Sequence, residues 1–79
     1  MTGKPGMPPL PVWVTPGGEP VSCLEKVKVL NENLLELREM AQDAFEDALL
    51  MGCDEAQFRR VLLELAASIR NPYATKEER

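Results

Sequence analysis

Glu32, Glu36, Glu39, Asp43 and Glu46 recur at spacings of three and four residues, which on a helix puts their carboxylates on one face. Carboxylates so placed can hold a hard cation or share a proton for acid–base chemistry. Bundle di-iron centres, however, combine glutamates with Glu-x-x-His pairs aimed into the core. This chain has no histidine, so the row reads as a solvated acidic face suited to a basic partner surface.

The remaining chemistry-bearing residues are Cys23 and Cys53. Two thiols without histidine cannot supply the four ligands of a usual zinc site, even in a simple dimer. If the segment between them is one helix, they lie roughly 45 Å apart, against the ~6 Å that a disulfide spans. Both read as ordinary free thiols near helix ends, although Cys53 sits beside a helix start, where a thiolate is favoured. With a serine in a capping role and no glycine-rich phosphate loop, little catalytic machinery is left. The expectation is a protein that is not an enzyme and uses no cofactor or metal.

The elements that position these residues are legible from the pattern. Residues 1–20 carry six of the seven prolines and four of the five glycines, a composition that gives extended or turn conformations and no helix. Within this arm, residues 1–21, lies the apolar piece Pro11-Val12-Trp13-Val14. Thr15-Pro16-Gly17-Gly18 then reads as a tight turn, with proline presetting the first central position and glycine accepting positive φ at the second. Trp13, the only tryptophan, is costly to leave wet; it is expected to dock on the chain's own helices or on a partner, the former somewhat favoured. Ser22-Cys23-Leu24-Glu25 has the form of a capping box. From there no glycine or proline intervenes before Gly52, which supplies the left-handed residue that ends a helix. A long helix over about 22–51 follows. Asp54-Glu55-Ala56-Gln57 is a second capping box and opens a shorter helix over about 54–70. Asn71-Pro72 stops it, Tyr73 is expected to fold back on it, and residues 72–79 form a charged tail.

The fold class is therefore all-α: an antiparallel helical hairpin, residues 22–71, with a Pro/Gly-rich N-terminal arm. Val27, Leu30, Leu34, Leu37, Ala41, Ala44, Ala48 and Met51 alternate steps of three and four, a heptad seam. Its alanine-rich half suits large residues of the second helix, with Phe58 near Ala48, Leu62 near Ala44 and Leu65 near Ala41. The shorter helix cannot reach the other half. Each buried aliphatic side chain is worth ~1.5–3 kcal/mol, a sizeable part of a small domain's stability, so a cover is expected. The expected cover is a second copy, giving a homodimeric four-helix bundle with Leu24, Val27, Leu30, Leu34, Leu37 and Ala41 in the dimer interface. An antiparallel pair is favoured because Lys26 then meets Asp47 of the other copy and not a second lysine.

The stretch from Ala48 to Leu62 resembles a helix-turn-helix in its spacing: alanine, glycine four residues on, a polar cap, then a basic second helix. That resemblance implies a recognition helix with Gln57, Arg59 and Arg60 as DNA readers. Leu50-Met51-Gly52-Cys53 also resembles the Met-Gly-Phe loop of ubiquitin-associated domains, with Cys53 where those domains carry an aromatic residue. Both resemblances are short, and any helix–glycine–cap–helix junction shares them.

A formal charge of −4 and a pI near 4.7 argue against general affinity for nucleic acid or anionic membranes. No apolar run approaches the ~18 residues of a membrane span, and Met1-Thr2-Gly3-Lys4-Pro5-Gly6 lacks the form of a secretory signal. The expected location is the cytoplasm. The expected function is that of a protein-interaction, accessory or regulatory module with an unidentified protein partner, using Trp13, Arg59 and Arg60 as further contact points. A DNA-binding regulator reading through the second helix is the alternative.

Overall fold

A computed structural model describes residues 9–73. They form two helices, α1 over Leu24–Leu50 and α2 over Glu55–Ser68, with one isolated β-bridge between Val14 and Pro20 ahead of them. The chain is an all-α helical hairpin. It divides into two compact units, Met1–Met40 and Ala41–Arg79, described here in turn.

In the first unit the segment before α1 folds into a small hairpin. The turn closes as expected at Thr15, whose carbonyl accepts from the amide of Gly18 at 2.8 Å. The positive φ, however, falls at Gly18 (φ 90°) and not at Gly17. A type I turn followed by a left-handed bulge residue accounts for this. The bulge lets the Thr15 amide reach Glu19 O, and the Val21 amide reach Trp13 O, each at 2.8 Å. Held in this ladder, the backbone enters α1 later than the capping box suggests. The first helical turn closes with Val27 N donating to Cys23 O at 3.0 Å, so Cys23 takes the cap position in place of Ser22.

In the second unit α1 ends and α2 begins with almost no loop. Gly52 (φ 91°) is left-handed, its amide donates to Leu49 O at 3.1 Å, and that of Cys53 donates to Ala48 O at 2.9 Å. This crossed pair is a Schellman closure, which satisfies carbonyls that a helix end leaves bare. Asp54 then caps α2, its Oδ2 accepting from Gln57 N at 2.8 Å. The reciprocal half of the box is not made; Gln57 Oε1 instead lies 3.8 Å from the Cys53 thiol. Helix α2 stops at Ser68, short of the expected residue 70. Ser68 Oγ turns back to Leu65 O at 2.7 Å and Asn71 Oδ1 accepts from Tyr73 N at 2.8 Å; both favour turn over helix, as does the proline after Asn71. Tyr73 is exposed and does not fold back.

The packing of α2 on α1 rests on an aromatic pair. The Phe45 and Phe58 rings lie 5.7 Å apart and tilted by 57°, a geometry worth about 0.5–1.5 kcal/mol beyond area burial. Ala48, at 7% exposure, is the one buried hydrophobic residue among those described. The expected pairing of Phe58 with the 48 region fits this placement. Ala44 and Leu65 are exposed, whereas Ala41 and Leu62 are half-buried.

Candidate functional site

The inward residues of α1 define a seam different from the expected one. Val27, Asn31, Leu34, Arg38, Ala41, Phe45 and Ala48 are all buried or half-buried, and they too alternate steps of four and three. In the first unit Asn31 is half-buried beside half-buried Leu30, and Arg38 is half-buried where Leu37 is exposed; in the second unit Phe45 is half-buried and Ala44 exposed. The inward face is thus offset from the apolar count, and at Asn31 the reason is a hydrogen-bond partner that the count ignores. Trp13 is that partner. Its Nε1–H donates to Asn31 Oδ1 at 2.7 Å across 18 residues of sequence. Trp13 is half-buried.

The six residues expected at a dimer interface are therefore separated. Val27, Leu30, Leu34 and Ala41 are half-buried within the chain. Leu24, in the first turn, is 83% exposed, and Leu37 is 64% exposed. What remains outward on α1 is a second apolar strip adjoining the first. In the first unit it carries two shallow depressions, one lined by Glu25, Lys26, Val29 and Leu30, the next by Asn33, Glu36, Leu37 and Met40. Met40 is 71% exposed and Val29 about half exposed. A large aliphatic or thioether side chain left in water forfeits ~1.5–3 kcal/mol that burial would return, so several on one helix face mark an interaction surface.

The charged side chains have local roles. Lys28 pairs with Glu32 at 2.9 Å on the exposed face, and Gln42 donates to Glu46 at 2.8 Å; such exposed i,i+4 contacts contribute a few tenths of a kcal/mol. Among the described residues no three of His, Cys, Asp and Glu gather into a group able to hold a metal ion. Cys23 and Cys53 are free thiols. Arg59 bonds Glu55 Oε2 through Nε at 3.1 Å, and its guanidinium sits 4.8 Å from the centre of the Phe45 ring. It helps seal the aromatic pair of the second unit. Arg60 is exposed. Arg38 is the exception in polarity: its Nη1 is buried with no hydrogen-bond partner. Asn31, Arg38 and Phe45 were not singled out from sequence, and only Phe45, an aromatic in phase with Ala41 and Ala48, offered a signal for the true inward face.

No helix among the described residues is long and apolar enough to cross a membrane. No family model, curated protein or solved structure matches the chain.

Proposed function

We propose that this chain is a non-enzymatic protein-interaction module that acts as a homodimer, associating through the outward apolar strip of α1. The observation that carries this reading is the exposure of Leu37 and Met40 beside Val29 on one helix face, while Ala48 is the one buried hydrophobic residue among those described. Small domains without disulfides or metals are marginal, and association is a common way to complete their core. The hairpin then contributes two helices to a four-helix assembly, and the acidic face of α1 stays outward for a further partner in an accessory or regulatory role. The DNA-reading alternative receives little from the geometry, because Arg59 is already engaged by Glu55 and Phe45.

Sedimentation at micromolar concentration tests the reading. The wild-type chain should sediment as a dimer, and Leu37→Glu as a monomer that keeps its helical circular dichroism, since Leu37 contributes little to the packing within one chain. A wild-type monomer of 8.8 kDa overturns the proposal. Binding of a DNA duplex at low salt that is lost in Arg59→Ala/Arg60→Ala would favour the alternative.

A further inference from the structure

Resting on the reading of this chain as a protein-interaction module, though not on its dimer, we propose a binding edge in the first unit. The open side of the N-terminal hairpin, at Val12 and Val14, takes up an extended, uncharged segment of a partner protein as a third, antiparallel strand. Val14 and Pro20 form the isolated bridge, flanked by the bonds from Thr15 N to Glu19 O and from Val21 N to Trp13 O. That pattern makes them a non-hydrogen-bonded pair, whose backbone groups point out of the two edges of the hairpin. The two edges differ. Pro20 has no N–H, so its edge lacks a donor there. The Val14 edge keeps one. By the two-residue period of extended chain, the amide and carbonyl of Val12 point the same way. Among the described residues no hydrogen bond uses the backbone of Val12 or Val14. Pro11 falls with Trp13 on the inner side of that period, so its missing donor does not blunt the edge.

The chemistry on offer selects the occupant. Two N–H and two C=O groups on one edge are complementary to extended backbone, the mode of recognition by strand addition. Val12 is 75% and Val14 56% exposed, whereas Trp13 and Thr15 are half-buried, so the added strand lays every second side chain beside the two valines. Residues 10–14 carry no charge. The lysines that guard edges meant to stay unpaired are therefore missing here, and a charged segment would find no counter-charge. A second copy fits less well, because two folded chains meeting at so short a ladder fall far short of the ~1,200 Å² that a specific dimer buries. A segment that becomes extended on binding needs no second docking surface.

Magnetic resonance of the isotope-labelled full chain, titrated with acetyl-Thr-Val-Thr-Val-Thr-Val-amide, reads the edge directly. The Val12 and Val14 amides should shift saturably and exchange more slowly, while those of Thr15 and Val21, already bonded within the hairpin, change little. Shifts confined to α1, or none at millimolar peptide, overturn the proposal. N-methylvaline at position 14, introduced by ligating the chain at Cys23, removes the outward donor and keeps the side chain. Binding should fall roughly tenfold or more, with the tryptophan emission showing the hairpin intact. The peptide N-methylated at its own valines, which oppose Val12 and Val14, should likewise fail on the unmodified chain, and undiminished binding in that arm contradicts the pairing. Protection of the Val14 amide that rises with protein concentration, without peptide, would put a second copy on the edge and overturn the foreign strand. Sedimentation of the same samples scores the dimer separately: a monomer that binds the peptide ends the dimer reading and supports this one.

Discussion

Trp13 is the only tryptophan and its indole N–H is held by Asn31, so its emission reports on one hydrogen bond. Asn31→Leu should remove that acceptor, shift the emission to longer wavelength and lower stability by about 1 kcal/mol, read from urea unfolding. An unchanged spectrum would mean that the indole is held by packing alone. Arg38 has the opposite sign. A buried guanidinium nitrogen without a partner costs free energy, so Arg38→Met should raise the urea midpoint, by the order of 1 kcal/mol. Neither residue was legible beforehand. A scale that counts apolar side chains assigns Asn31 and Arg38 to the outside, and the bond that draws Asn31 inward comes from a tryptophan remote in sequence.

At the scale of elements, much more could be read in advance. The two helices, the left-handed Gly52 and the Asp54 cap all follow from local chemistry, because each is fixed by a residue's own backbone preference or by a partner three positions away. Ends were read less well: the ladder from Trp13 to Val21 precedes the start of α1, and Ser68, bonded back to Leu65 O, ends α2 early. Asp54→Ala removes the side chain that accepts from Gln57 N and should cost about 1 kcal/mol, measured as a lower thermal midpoint. Gly52→Ala should cost roughly 1–2 kcal/mol, and its cause can be specified. A β-carbon there would meet nothing within 4 Å, so no steric clash adds to the backbone penalty.

At the scale of the whole molecule, the same periodicity that revealed a seam also concealed that there are two. Leu30 and Leu37 are out of phase with Asn31 and Arg38 by one residue, and a sequence count merges the adjoining strips into one. The expected cover for residues 27–34 was a second copy, whereas Trp13 of the same chain bonds Asn31 within that stretch. Association through the outward strip makes thermal stability depend on concentration. The midpoint should rise when wild-type protein is concentrated tenfold, and should stay constant for Leu37→Glu. A concentration-independent wild-type midpoint would argue that the strip stays in water.

The junction closed by Gly52 has one more consequence. Only four residues separate α1 from α2; Gly52 alone among them has a positive φ, and Asp54 is extended. Placing a strong helix former at position 52 therefore does more than strain a turn: it makes an uninterrupted rod from 24 to 68 a competing state. In such a rod Phe58 could no longer fold onto the Phe45 of its own chain, but it could reach the Phe45 of another. The glycine thus guards against strand-like exchange of helices between copies, and its loss would be seen as an entangled, slowly dissociating oligomer.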